Sequence, residues 1–407
     1  MRAQGFLILA VCLSAAMAIP TDNRAVQTVT SGINQFSSAF YADIAASNPG
    51  NLITSPLSAA IVLSMAGYGS REETKKEFEQ VLHLPEESVG RIGYSNLIDI
   101  FNNVKTVQLS LANKAFVNKN FSVKPSYQQL TQSAFRSTSE SLDFSNTAKA
   151  AATINQWCEE QTNHRIKDLI EPDSISGGTA MVLVNAVYFK GNWLHKFDAK
   201  LTEPKPFHAT KTKTVDVPTM HKVGHFKYAN LPELKASLIE IPYEGRELSM
   251  VIILPDEIDG LPELERKLAQ ADLAELIRKG YNTEVSLQLP KFTIESSLVL
   301  TDHLKHLGLK KAFSQTSADF SGISDAGVFI SAVVQKAFIE VNEEGSEAAA
   351  ATAVILLVKT LVYKPAFIVN RPFFYSIVKV TRNDENAISN ALPLFTVYLE
   401  SFDRLNI

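Results

Sequence analysis

The sequence predicts an α+β fold with large mixed or antiparallel sheets. Helical periodicity is concentrated in the N-terminal part, strand signals accumulate from Thr179 onward, and no Pro/Gly/Ser-rich linker, low-complexity tract or repeat divides the chain. With 407 residues, 45% hydrophobic and 20% charged, the composition is ordinary for a globular protein and the length allows a substantial core.

Ser55-Pro56 opens a helix over 57–67, with proline where a first helical turn has no donor to lose. The stretch 70–82 places Phe78, Val81 and Leu82 at helical spacing, with charges on the other face. A further helical segment is expected over 148–170. The stretches 179–189, 237–242, 248–254, 284–294 and 328–341 are β-branched or alternating and read as strands. A last strand block covers 367–380, with a turn at Arg382-Asn383-Asp384 before a strand over 392–399. Gly67-Tyr68-Gly69-Ser70 follows no strand, so it is read as a helix end rather than a phosphate cradle.

Residues 1–18 carry the order of a secretory signal: Arg2, an apolar stretch over 6–13, and the small-x-small site Ala16-Met17-Ala18. The remainder, 19–407, is expected to be one domain that is released rather than anchored. No other apolar run nears the ~18 residues of a membrane span. Cleavage takes 39 basic residues to 38 against 43 acidic ones, a net of −5, which argues against nucleic-acid and anionic-membrane partners. It also removes Cys12 and leaves Cys158 alone, so no internal disulfide is available. Cys158 is read as a buried small hydrophobe.

Motifs for catalysis are missing: no G-x-S-x-G elbow, no Walker loop, no H-E-x-x-H and no paired C-x-x-C. The eight histidines show no ligand spacing, and neither metal nor cofactor is expected. Asn120-Phe121-Ser122 is a glycosylation sequon, modified or left as a bare surface loop.

One segment stands out. From Lys336 to Tyr363 the chain reads KAFIEVNEEGSEAAAATAVILLVKTLVY: a strand-like start, an acidic pair and glycine, an alanine-rich run, an apolar run, then a single lysine. On propensity alone, 346–353 suits a helix and 353–358 a core strand.

The run Glu343, Glu344, Gly345, Ser346, Glu347, Ala348, Ala349, Ala350, Ala351, Thr352 resembles the hinge of the inhibitory serpins. Other short motifs of that family follow in order: Asn51-Leu52-Ile53-Thr54-Ser55-Pro56; Asn155 with Thr162 and Ile166; Val184-Asn185; and Phe189-Lys190-Gly191-Asn192-Trp193. After them come Val217-Pro218-Thr219-Met220, Ile241-Pro242-Tyr243, Leu254-Pro255, Leu289-Pro290-Lys291-Phe292, Asp319-Phe320-Ser321-Gly322-Ile323 and Asn370-Arg371-Pro372-Phe373. The resemblance implies the serpin fold: three β-sheets, about nine helices, and an exposed reactive-centre loop at about 343–363. Loop insertion in that family is an established instance of strand addition and released strain.

An inserted strand points alternate side chains inward. Counting back from Lys359, the inward set is Ser346, Ala348, Ala350, Thr352, Val354 and Leu356, with no proline and no charge; Glu347 falls on the outward parity. Family spacing puts the attacked bond at Lys359–Thr360, a bait for a trypsin-like serine protease bound covalently one to one. An elastase- or chymotrypsin-like enzyme cutting after Leu356 or Leu357 is the register-slip alternative; a non-inhibitory carrier or storage serpin is the other. Ser55 and Asn185 resemble members of the polar cluster under the sheet's opening strands, and Trp193 the aromatic where the loop first enters. Gln335 stands where many serpins have histidine, and 394–399 lacks the usual glycine. The similarity is greatest to insect haemolymph serpins. It implies a secreted monomer, prone to loop-sheet polymerisation, in a melanisation or immune protease cascade.

Overall fold

The computed structural model describes residues 21–344, 364–382 and 388–402. In chain order the first elements are α1 (Thr21–Ser47), β1 (Leu52–Thr54), α2 (Pro56–Gly69), α3 (Glu72–Leu82), α4 (Glu87–Asn102), β2 (Val107–Asn118), α5 (Pro125–Phe135), β3 (Ser139–Leu142) and α6 (Thr147–Gln161). Strands then dominate: β4 (Met181–Gly191), β5 (Glu203–His208), β6 (Thr214–Leu231), β7 (Ala236–Pro242) and β8 (Leu248–Pro255). Two short helices, α7 (Leu261–Leu268) and α8 (Leu273–Arg278), precede β9 (Tyr281–Pro290), β10 (Phe292–Val299) and α9 (Thr301–His306). The described chain ends with β11 (Ile330–Val341), β12 (Ala366–Ile368), β13 (Phe373–Arg382) and β14 (Ile388–Leu399).

These strands build three sheets. One has five strands in the order β10-β11-β4-β2-β3. The other two, β1-β14-β13-β8-β7 and β5-β6-β9-β12, are joined into one hydrogen-bonded path by the long β6. Its residues 214–219 pair with β5 and 219–228 with β9, while 227–231 pair with β7.

Burial explains why these sequences take these forms. Helix α2 starts at Pro56, where the Ser55 hydroxyl accepts the Ser58 N–H, and every one of its residues is buried. It has no polar face because it lies between sheets. From Met181 to Phe189, β4 is buried on both faces, so it reads as a continuous apolar run rather than an alternation. Leu183, Val187 and Phe189 face the main core, while Val182, Val184 and Ala186 face α6 through Ala150, Ile154 and Cys158.

Three expectations from sequence need correction. The helix expected over 148–170 ends at Gln161. There the Thr162 hydroxyl donates to the Cys158 carbonyl and accepts the Ile166 N–H, and Asn163 and His164 take positive φ. The strand expected over 284–294 is two strands, β9 and β10, broken at Lys291, whose N–H pairs with Pro218 instead. The block at 367–380 is likewise two, β12 and β13, separated by Asn370-Arg371-Pro372, where proline lacks a ladder donor. The glycines at 67 and 69 close α2, as expected. Residues 383 and 384, expected in a turn, lie outside the described residues.

Candidate functional site

Strand β11 runs parallel to β4, in register from Ala332 opposite Val182 to Glu340 opposite Lys190, after an irregularity between Ile330 and Ala332. A parallel pair is slightly weaker per residue than an antiparallel one. The two strands are distant in sequence, and β11 leads within two residues into the hinge-like segment. The seam between them is therefore the place in this sheet that an added strand, running back from that segment, could occupy with antiparallel neighbours on both sides.

A line of amides crosses the seam. Gln335 on β11, Asn185 on β4 and Asn113 on β2 stand opposite one another. The Gln335 amide oxygen accepts the Thr54 hydroxyl at 2.6 Å and the Ser55 N–H at 2.9 Å. Its NH2 donates to the Ser55 carbonyl at 3.0 Å and the Asn185 amide oxygen at 2.6 Å. The Asn185 NH2 donates to Ser58 and, at 2.6 Å, to Asn113, and the Ser55 hydroxyl donates to the Leu394 carbonyl at 2.5 Å. Gln335 and Asn185 are fully buried, and both donors and both acceptor positions of Gln335 are used. A buried amide costs little in this state and a good deal if left unpaired.

Ser55, Asn185 and Gln335, named from sequence, thus come together. Thr54, Ser58 and Asn113 were missed. Thr54 and Ser58 flank the Ser55-Pro56 helix start, and Asn113 is a polar residue inside the strand β2; only the register reveals that it faces Asn185. Gln335→Ala should lower the melting temperature of the intact protein by several degrees, since up to four polar groups lose a partner at ~1–3 kcal/mol each. The loss should be smaller after loop cleavage, when an inserted strand would already part Gln335 from Asn185; equal losses would contradict that.

Trp193 lies apart from this cluster, at the end of β11. Its indole N–H donates to the Asn342 carbonyl at 2.8 Å, and its ring stacks on Tyr243 at 4.6 Å between centroids. Beyond it, Glu343 accepts the Thr202 hydroxyl at 2.8 Å and pairs with Lys291 at 2.9 Å. Burial pushes the Glu343 carboxyl up, but hydrogen bonds from Lys291, its own backbone and Thr202 outweigh it and hold the group below its ordinary value. Lys190 bridges Glu340 at 3.2 Å and Glu344 at 3.1 Å. Burial lowers the Lys190 ammonium and the two carboxylates raise it further, so the net shift is upward. Lys190 and Lys291 stand inside motifs quoted from the sequence, yet nothing there showed that both point at the hinge glutamates.

The far end of the segment is held on a different sheet. Lys364 pairs with Glu284 at 2.7 Å, the Pro365 carbonyl accepts the Ser286 N–H, and β12 pairs with β9. Gly345, Ser346, Glu347, Ala348, Ala349, Ala350, Ala351 and Thr352 lie outside the described residues, as do Leu356, Leu357, Lys359 and Thr360. Asn120 is exposed in the turn after β2. Cys158, on the inner face of α6, is fully buried, and burial, opposed by Lys336 and Lys114, pushes its thiol up to about 12, so it is protonated and inert at neutral pH. No cluster of His, Cys, Asp and Glu fit to hold a metal ion occurs among the described residues.

A three-sheet α+β fold, a parallel seam with a buried amide line, and an anchored acidic hinge define a protein built around one sheet and the segment next to it. A family model described as Serpin (serine protease inhibitor) matches residues 31–386, and the chain belongs to the serpin family. Alaserpin of Manduca sexta is 36% identical over 375 residues, 91% of this chain and 96% of that protein. Antitrypsin of Bombyx mori is 37% identical over 368 residues, 89% of this chain and 93% of that protein. The crystal structure of Serpin48, a highly specific serpin in the insect Tenebrio molitor, superposes with a TM-score of 0.80 at 34% identity, covering 93% of this chain and 99% of that one. Serpins are in general protease inhibitors rather than enzymes.

Proposed function

We propose that this serpin is a secreted suicide-substrate inhibitor of trypsin-like serine proteases, with Lys359–Thr360 as the bond it offers. The observation that carries this reading is the parallel pairing of β11 with β4, in continuous register from Ala332 to Glu340 next to the hinge. Attack at Lys359 forms an acyl-enzyme on the Lys359 carbonyl and releases Thr360 as a new amino terminus. The freed segment then turns back at the hinge and adds to the sheet between β11 and β4, carrying the acylated enzyme with it.

Magnitudes support that course. Fifteen residues from Gly345 to Lys359 span roughly 50 Å at ~3.3 Å each. About ten new backbone hydrogen bonds at ~0.5–1.5 kcal/mol net supply on the order of 10 kcal/mol. That exceeds the cost of parting the amide line and the Lys190 and Lys291 anchors.

Other parts of the reading rest on sequence: a signal at 1–18, one domain over 19–407, a role for Ser55, Asn185, Trp193 and Gln335 in holding the sheet shut, and a place in an immune or melanisation cascade. The exposed turn at Asn120 supports glycosylation there, checked by the mass lost on peptide N-glycanase treatment of the secreted protein and its absence in Asn120→Gln. The test of the whole is direct. Mixed with trypsin, the protein should give an adduct that survives a denaturing gel. Cleavage with trypsin still active would indicate a non-inhibitory serpin instead.

A further inference from the structure

Tyr375 on β13 is fully buried, and its hydroxyl has no hydrogen-bond partner among the described residues. A buried hydroxyl normally finds a partner, and leaving it without one is costly. Phenylalanine would fill the same space without that cost, so the oxygen calls for a use.

Its place in the fold supplies one. Tyr375 and Phe373 stack on the face of β13 turned toward the five-stranded sheet, and their rings lie 5.7 and 6.3 Å from that of Phe292. Phe292 opens β10 opposite Val341, the last residue of β11. Tyr243 approaches the same layer from the β4 side. Its ring is 5.0 Å from that of Phe189, and a Cβ at position 191 would collide with it, which is why glycine stands there. Burial pushes the Tyr243 phenol up and the Tyr375 phenol raises it further, so each is within reach of the other's field. Together the two rings floor the hinge end of the β11–β4 seam.

A strand that turns back after Val341 through the four residues 342–345, a common hairpin length, sets Ser346 beside Val341. Val341 is buried on the core side and Ser346 heads the inward set, so the two parities agree. The Ser346 hydroxyl then comes down on the floor formed by Tyr243 and Tyr375.

We propose that Tyr375 is a positioning residue for strand insertion: its hydroxyl donates to that of Ser346 as the strand starts to enter, which favours the first step of trapping. The inference rests on the inhibitory reading above.

The test is the limiting rate at which the full chain, at saturation, traps trypsin, followed by stopped flow with the active-site probe p-aminobenzamidine. Tyr375→Phe should slow trapping about fivefold, the loss of one hydrogen bond, while the intact variant melts no lower than the unaltered protein. Ser346→Ala should slow trapping by the same factor, and the double variant no further. No trapping by the unaltered protein would overturn the inhibitory reading and this inference with it. Where the unaltered protein does trap trypsin, an unchanged rate in Tyr375→Phe, or a double variant slowed by the product of the two factors, would overturn this inference alone. So would a lower melting temperature of intact Tyr375→Phe, which would mean that the hydroxyl is already bonded.

Discussion

Replacing Ala350 with arginine is expected to turn the protein from an inhibitor of trypsin into a substrate. On β11 the side chains of Val333, Gln335, Ala337, Ile339 and Val341 are buried on the core side. A strand added beside β11 places its own alternate residues in that layer, and counting back from Lys359 puts Ala350 there. An arginine at 350 would have to enter the core without a carboxylate to meet it. An unpaired buried charge costs about 3–5 kcal/mol. If half or more of that cost is felt while the strand is entering, insertion slows by about 10- to 5000-fold. Hydrolysis of the acyl-enzyme then finishes first. A denaturing gel should show cleaved serpin and active trypsin in place of the adduct. Ala349→Arg is the control, because residue 349 has the outward parity and should still form adduct. The same behaviour in both variants would remove the parity argument.

Lys359→Ala is expected to cut the second-order rate of trypsin inhibition by about 100- to 5000-fold. The carboxylate at the base of a trypsin-like specificity pocket is left without its cation, again about 3–5 kcal/mol. Because Lys359 is upstream of the cut and outside the inserted inward set, its loss should not touch insertion itself. An elastase-like enzyme that accepts Leu356 or Leu357 should therefore be trapped no worse than before. Retained inhibition of trypsin would move the reactive bond elsewhere. Lys364 is a poor substitute, since Pro365 follows it and Glu284 holds its ammonium at 2.7 Å.

Much of this architecture was legible in the residues, for identifiable reasons. The apolar run of β4 and the proline-led start of α2 read correctly because burial on all sides leaves no room for polar residues. The end of α6 did not, because Thr162 stops the helix through its side chain, which periodicity does not register. Lys291 was not legible as a break because its N–H finds a partner, Pro218, far off in sequence. At the site, Ser55, Asn185 and Gln335 were found through family resemblance, whereas Asn113 is identified only by its register opposite Asn185. The anchoring of Glu343 by Lys291 and Thr202 joins three separate stretches of chain, and no local pattern encodes such a meeting.

Everything turns on whether the cut segment adds to the sheet as a new central strand. Differential scanning calorimetry of the protein before and after limited cleavage of its loop answers this most directly. About 10 kcal/mol of added hydrogen bonding in a domain of this size corresponds to a rise of about 10 °C. A clipped protein that melts where the intact one does would mean that no strand has entered between β11 and β4.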